Sequence, residues 1–284
     1  MFERLSRSWK LVKASASVLK EDKELLVFPL ISSAALLLVL ASFALPIIGL
    51  NALDGLSGGS DQKVSVAVYA VAFLFYFCQY SVIFFFNTAL VGAAMMRLDG
   101  GNPTLRDGMR IATSKIGVIL GYAFIAATVG MILRAIEERV GFIGKIIVGL
   151  LGIGWALATY LVVPVLAARD VGPIDAIKES GTLLKKTWGE NVIGQAGMGL
   201  AFGLIFMGIV LIGAFLIIAA AVSGSAILIG LAVVVVVLTV VITVLVQSTL
   251  AGIYSAALYR YATTGKGSQG FDADTMKLAF APKK

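Results

Sequence analysis

The sequence contains no histidine and a single cysteine. Without histidine, the chain lacks the side chain that most often serves as a general base and as a transition-metal ligand. The lone Cys78 lies within an apolar run and has no second cysteine to pair with, so we interpret it as a small buried hydrophobe. These absences argue against the commonest catalytic and metal centres, and we expect neither a cofactor nor a metal.

Charged residues are also scarce, at 14% of 284 residues, whereas a soluble domain carries about 25%. Hydrophobic residues reach 59%, and the mean hydropathy is +0.98. This much apolar surface requires lipid as the solvent. The net charge of +7 comes from basic residues that flank apolar runs. That arrangement is typical of membrane topology signals and of contact with anionic lipids, and we expect no nucleic-acid partner.

Six apolar runs are long enough to cross a membrane as helices. They cover residues 25–50, 64–96, 111–133, 141–168, 190–222 and 226–261. The first run could instead be a signal peptide cleaved after Ser42-Phe43-Ala44, but its length favours an uncleaved helix. Four or five spans with a re-entrant hairpin are the less favoured alternative. The predicted fold is therefore all-α, a polytopic bundle of six transmembrane helices with amphipathic helices on its cytoplasmic side.

Lysine and arginine are distributed unequally between the two sides of this predicted bundle. Four lie on one side, and the other nineteen lie in residues 1–24, 97–115, 169–186 and 260–284. The positive-inside rule then places both termini in the cytoplasm, with the protein in the inner or plasma membrane of a cell. The predicted domains are an N-terminal amphipathic helix (1–24), a transmembrane domain (25–262) and a cytoplasmic tail (263–284).

Short amphipathic stretches, which we call elbows, precede three of the six runs, at residues 1–24, 104–115 and 173–188. The first carries apolar residues at helical spacing on one face, namely Phe2, Leu5, Trp9, Val12, Ala16 and Leu19. Such a helix suits the headgroup layer of a membrane, or it can pack on the cytoplasmic end of the bundle, and both alternatives stay open. The membrane-interface residues predicted from the elbows are Trp9, Arg7, Lys13, Lys185, Lys186 and Trp188.

Two of the elbows share a short sequence pattern. Ser15–Lys20 reads SASVLK, and Ser180–Lys185 reads SGTLLK. The layout of elbow, span, short outer turn and span occurs three times along the chain. This pattern is consistent with a three-fold repeat, although composition alone produces simple repeats in membrane proteins.

Charged side chains are absent from the centres of the predicted spans and occur near their ends. This argues against a proton relay and against an enzyme, which would need a paired acid and base, such as Asp170 with Glu190, to converge from span ends. The polar residues within or beside spans are neutral: Gln79, Asn87, Tyr160, Asn191, Gln195, Thr243, Gln247 and Tyr254. They could line a cleft between helices, or they could only hydrogen-bond helices together.

The stretches MFERLSRSWKLVKASASVLKEDKELLVFPLIS and DAIKESGTLLKKTWGENVI resemble a family of uncharacterised prokaryotic membrane proteins, known only as a domain of unknown function. The elbow-and-span pattern is also distantly similar to the membrane domain attached to some glycerophosphodiester phosphodiesterases. The phosphodiesterase domain itself is absent, so that likeness implies no catalytic residues. The resemblance implies a six-helix membrane protein and no particular reaction.

The leading functional hypothesis is a non-enzymatic membrane protein that binds or moves a lipid or a small apolar molecule. Membrane lipids are then its expected partners. The alternative is a scaffold or assembly partner of a larger membrane complex, acting as a homo-oligomer or with another membrane protein. Two GxxxG motifs, Gly117 to Gly121 and Gly199 to Gly203, favour this alternative because they permit close helix contacts.

Overall fold

A computed structural model of the chain describes residues 2–49, 66–268 and 270–271. Apart from a 3₁₀ turn at Lys23–Leu26 and one isolated bridge between Ser268 and Phe271, its regular structure is α-helical. The helices are α1 (Phe2–Glu21), α2 (Val27–Gly49), α3 (Val66–Leu98), α4 (Leu105–Ser114), α5 (Ile116–Glu137), α6 (Phe142–Ala158), α7 (Val162–Ala168), α8 (Pro173–Val222) and α9 (Ala226–Thr264). The all-α prediction is confirmed.

Six helical segments are long and apolar enough to cross a membrane, as predicted. The structure differs from the sequence prediction at two places. The fourth span is interrupted between α6 and α7, and the third elbow is not a separate helix, because α8 runs without a break from Pro173 to Val222. The first two elbows are separate helices, α1 and α4.

The contacts divide the chain into two compact units. The first unit contains residues 1–26, 94–103 and 185–284, and the second contains residues 27–93 and 104–184. Each unit therefore combines segments that are distant in sequence.

In the first unit, α1 packs against α9 with a face formed by Leu11, Val12, Ser15, Val18 and Leu19, all of them buried. Gly270 lies so close to α1 that a β-carbon there would stand 2.9 Å from Val18, and the adjacent Phe271 is fully buried. Trp9, predicted to lie on the apolar face, is instead 46% exposed. Val12 and Leu19 of the predicted apolar face therefore pack within the protein, and contact of this helix with the membrane stays a prediction.

In the second unit, α4 packs between α2 and α3. Gly108 lies against the Phe28 ring of α2 and the backbone of α3. A β-carbon at Gly108 would lie 2.7 Å from the carbonyl oxygen of Ala89. Thr104 caps this helix, since its hydroxyl accepts from the Asp107 amide while the Asp107 carboxylate accepts from the Thr104 amide at 3.0 Å. The Thr104 hydroxyl also donates to the Asp107 carboxylate at 2.7 Å, and this bond, together with that from the Thr104 amide, lowers the pKa of Asp107 below its ordinary value.

The three elbows share one burial pattern over six residues. In Ser15–Lys20, Gly108–Thr113 and Ser180–Lys185, the first and fifth residues are buried, and the third and sixth are exposed. The first residue is small in every case, and each stretch contacts an even-numbered span: the sixth, the second and the fourth, respectively. Helical spacing of apolar residues produces such a pattern in any amphipathic helix, so the three-fold repeat stays a prediction.

Candidate functional site: an interrupted fourth span and the cleft beside it

The fourth span contains a break in its helix at Thr159–Leu161. Helix α6 ends at Ala158 and α7 begins at Val162. Pro164 explains the position of the break, because proline has no amide hydrogen to donate and its ring clashes with the carbonyl group four residues earlier, at Tyr160. Pro164 instead occupies the first turn of the new helix, where it is tolerated.

Side chains of two other helices form hydrogen bonds at the break, and one of them satisfies a backbone amide. The Leu161 amide donates to Ser180 Oγ of α8 at 3.0 Å, and both residues are fully buried. The Thr159 hydroxyl donates to the Trp155 carbonyl at 2.8 Å and hydrogen-bonds with the Tyr122 hydroxyl of α5. Unsatisfied backbone groups are costly in a membrane, so these hydrogen bonds allow the interruption to persist.

Aromatic side chains of α3 extend from this break. The Tyr122 ring lies 4.5 Å from that of Phe84, which stacks on Tyr80 at 5.6 Å between ring centroids. Tyr160 lies within the break itself and is half-buried. The hydroxyl groups of Thr159 and Tyr160 therefore lie in the interruption, and the stacked rings of Tyr122, Phe84 and Tyr80 belong to the second and third spans.

A cleft of about 410 Å³ lies at the end of the third and fourth spans where α5 begins and α7 ends. Its lining comes from the start of α5 and from the connection between α7 and α8: Ser114, Lys115, Gly117, Val118, Asp170, Val171 and Gly172. The cleft combines polar and charged groups with an apolar wall and is located where a span meets its flanking connection.

The cleft contains one ion pair, between Lys115 and Asp170. Lys115 Nζ also donates to the Arg169 carbonyl at 3.3 Å. The Lys115 side chain is only 14% exposed, whereas that of Asp170 is 94% exposed. The Arg169 guanidinium pairs with Glu179 at 2.6 Å, so the cationic group that lines the cleft is the Lys115 ammonium.

The residues predicted as a lipid site are distributed over both units. Gln79 and Asn87 lie half-buried on α3 of the second unit, as does Tyr160 in the break. In the first unit, Thr243 donates its hydroxyl to the Thr239 carbonyl of its own helix, and Gln247 is half-buried. Tyr254 is buried, and its hydroxyl has no hydrogen-bond partner among the described residues. The side chains of Asn191 and Gln195 lie outside the described residues. Convergence of the two groups on one cleft stays a prediction.

Of the predicted membrane-interface residues, Trp9, Lys13 and Lys185 are exposed. The side chains of Arg7, Lys186 and Trp188 lie outside the described residues. Exposure of the basic residues agrees with a role at a membrane surface, which stays a prediction.

Sequence reasoning missed Ser180, Tyr122 and Lys115 as members of a site. Ser180 opens the SGTLLK pattern, which was noted only as a repeat, and Pro164 was the signal for the break beside it. The pairing of Lys115 with Asp170 joins residues 55 positions apart, and no local pattern indicates it.

The fold and this site define a multi-pass helical membrane protein with an interrupted span. Residues 66–271 match the model of a family of unknown function, DUF6159, and the chain belongs to that family. A search of curated proteins found no match. The comparisons show no link to glycerophosphodiester phosphodiesterases.

Proposed function

We propose that this protein is a non-enzymatic membrane protein that binds, or moves, a membrane lipid or a small apolar molecule. The observation that carries the proposal is the interrupted fourth span, with Leu161 held by Ser180. Transporters build binding sites from discontinuous helices, because broken backbone within a membrane is tolerated only where protein or a cavity surrounds it. A chain with hydroxyl and aromatic groups at such a break suits an amphiphilic ligand.

The chemistry around the break favours an apolar ligand over an ion. The spans carry no charged residue near their centres, and the groups at the break are neutral hydroxyls. An ion or a strongly charged substrate would need compensating charge within the membrane. A lipid needs only an apolar path and a few hydrogen bonds.

Ser180→Ala is expected to destabilise the protein at the helix break and to reduce the amount of lipid that the protein retains. The substitution leaves the buried Leu161 amide without its acceptor, which costs about 1–3 kcal/mol in protein interiors and ~0.6–2 kcal/mol within membranes. We expect lower thermal stability in mild detergent and, by native mass spectrometry, a smaller fraction of protein that carries bound lipid. Thr182→Ala is the matched control, because Thr182 lies two residues further on the same helix, is exposed, and bonds only its own Lys178 carbonyl.

Two results would contradict the proposal. One is a wild-type protein that retains no lipid in native mass spectrometry after extraction in mild detergent. The other is a Ser180→Ala protein that loses stability but keeps the wild-type fraction of bound lipid, which would make the break purely structural.

A scaffold role is the second candidate, and it rests on a different observation. Gly199 and Gly203 of α8 form a GxxxG motif, and a β-carbon at either position would meet no atom within 4 Å in the described structure. This face is therefore available for close approach of another helix. The same native mass spectra test it, since a stable oligomer without bound lipid favours the scaffold and a monomer with bound lipid argues against it.

The protein is proposed to lie in the inner or plasma membrane with both termini cytoplasmic. In a Cys78→Ala background, single cysteines at Ser17 and Thr264 should react with a membrane-impermeant maleimide only after permeabilisation. Cysteines at Arg139 and Ser223 should react in intact cells, because these exposed residues flank the opposite ends of the spans. The reverse labelling pattern would overturn the proposed orientation.

A further inference from the structure

We propose that the cleft beside the fourth span binds the headgroup of a zwitterionic phospholipid that carries a primary ammonium group, of the phosphatidylethanolamine type. This inference rests on the proposed function, because it names the class of lipid and the part of the protein that would recognise it. Two observations support it: the cleft itself, and the unequal exposure of Lys115 and Asp170 in its lining.

The position of the cleft matches the level of a lipid headgroup. Lys115 immediately precedes the third span, and Asp170 follows the fourth span by two residues. A phospholipid carries its charges at this boundary and its acyl chains beside the spans. Gly117 and Val118, in the first turn of the third span, give the cleft a wall without charge, and a β-carbon at Gly117 would meet no atom within 4 Å in the described structure.

The two charges at the cleft are separately available to a ligand. Lys115 is largely buried and is held by both Asp170 and the Arg169 carbonyl, so its ammonium group has a fixed position. Asp170 is 94% exposed, and its carboxylate has acceptor capacity beyond a single ammonium group. A ligand ammonium can therefore share the Asp170 carboxylate with Lys115 without separating the ion pair.

A ligand with an anion and a cation close together fits this arrangement. Its phosphate would meet the Lys115 ammonium, and its own ammonium would meet the Asp170 carboxylate. An anionic headgroup without an amine would satisfy Lys115 but would place negative charge beside Asp170.

The lining also distinguishes a primary ammonium from a quaternary one. A primary ammonium has three hydrogens to donate to a carboxylate. Choline has none, and proteins usually bind it in a cage of aromatic rings. The cleft is lined by serine, lysine, glycine, valine and aspartate, without an aromatic ring. The geometry therefore favours the ethanolamine headgroup over the choline headgroup.

The test uses the full chain reconstituted in nanodiscs that contain equimolar phosphatidylethanolamine, phosphatidylcholine and phosphatidylglycerol with identical acyl chains. Native mass spectrometry after release from the nanodisc reports the lipids that remain bound. We expect phosphatidylethanolamine to be enriched about fivefold over each of the others, the ratio that corresponds to ~1 kcal/mol.

Asp170→Asn is the decisive variant, because asparagine removes the charge but keeps an oxygen acceptor for the Lys115 ammonium. Its thermal stability in mild detergent is measured alongside, since the largely buried Lys115 loses its anionic partner. We expect the variant to abolish the preference for phosphatidylethanolamine over phosphatidylcholine and to raise retention of phosphatidylglycerol, since Lys115 then acts without a neighbouring anion. Asp175→Asn is the matched control. Asp175 is a similarly exposed partner of Lys178 a few residues away, outside the cleft, and its substitution should leave the preference unchanged.

A second arm distinguishes the lipid from a soluble molecule with the same headgroup. Glycerophosphoethanolamine added at millimolar concentration should not displace bound phosphatidylethanolamine if the acyl chains contribute to binding. Complete displacement would overturn the proposal for a lipid and indicate a soluble phosphoethanolamine compound instead.

The outcomes separate this proposal from the proposed function. Bound lipid without headgroup preference, or an unchanged preference in Asp170→Asn, overturns the headgroup site and leaves lipid binding intact. Absence of any retained lipid overturns both.

Discussion

Gly108→Ala is expected to destabilise the protein by about 2 kcal/mol. A β-carbon at this position would lie 2.7 Å from the carbonyl oxygen of Ala89 and would overlap the Phe28 ring. The ring can move, but the carbonyl belongs to the backbone of α3, so α4 must shift away from the second span. Overpacking of this kind costs about 1–3 kcal/mol, and the loss exceeds the ~1 kcal/mol by which alanine favours a helix over glycine.

The measurement is unfolding of the purified protein in mild detergent, followed by tryptophan fluorescence. Gly149→Ala is the matched control, because Gly149 is an exposed residue of α6 in the same unit, and a β-carbon there meets no atom within 4 Å in the described structure. Its substitution should be neutral or mildly stabilising. Equal stability of the two variants would show that α4 does not pack as closely on the second span as described here.

Arg97→Ala is expected to cost about 3 kcal/mol. The Arg97 side chain is 17% exposed, and it bonds Glu21 Oε2 at 2.8 Å and the Gly101 carbonyl at 3.2 Å. It also offsets the charge of Asp22, which is buried and has one carboxylate oxygen without a hydrogen-bond partner. Removal of one partner from a buried charged group typically costs about 3–5 kcal/mol, and the half-exposed Glu21 reduces that figure here.

The loss of stability caused by Arg97→Ala should depend on pH because of Asp22. Burial raises the pKa of Asp22 above its ordinary value of 3.8, and Arg97 opposes that rise. Between pH 3.8 and the raised pKa, Asp22 is protonated to a greater extent in the folded protein than in the unfolded chain. The contribution of Asp22 to the free energy of unfolding therefore falls as the pH increases. Without Arg97 the pKa of Asp22 rises further. The difference in unfolding free energy between wild type and Arg97→Ala should therefore be larger at pH 7.5 than at pH 4, which is close to the ordinary pKa of Asp22.

A double substitution separates the two contributions of Arg97. Asp22→Asn combined with Arg97→Ala should recover part of the lost stability and remove the pH dependence, because no buried carboxylate remains at residue 22. Glu21→Gln, at a side chain that is 48% exposed, should cost no more than ~1 kcal/mol. If the double variant were no more stable than Arg97→Ala at pH 7.5, Asp22 would not be the group that Arg97 offsets.

The positions of the spans could be predicted from sequence because the membrane sets a simple requirement of length and polarity. The predicted run at 226–261 corresponds to α9, Ala226–Thr264, and the run at 64–96 corresponds to α3, Val66–Leu98. The cap at Thr104 is likewise a local feature, since a capping residue acts on amides within its own first turn.

What the prediction missed depends on contacts between distant residues. The face of α1 that carries Val12 and Leu19 fits a lipid surface or a protein surface equally well, and only its packing on α9 decides between them. The hydrogen bond from Leu161 to Ser180 joins two helices, so no periodicity within either one indicates it. The ion pair of Lys115 with Asp170 escaped prediction for the same reason.

The packing of Gly270 and Phe271 on α1 has a consequence for how the protein is made. Helix α1 packs against α9, and its Val18 lies close to Gly270; α9 and Gly270 are synthesised about 200–260 residues after residues 11–21 of α1. The second unit, residues 27–93 and 104–184, is fully synthesised before α9. Because domains complete their packing as their chain emerges, the second unit should assemble first. During that interval α1 lacks its packing against α9, and we expect its apolar face to lie on the membrane surface.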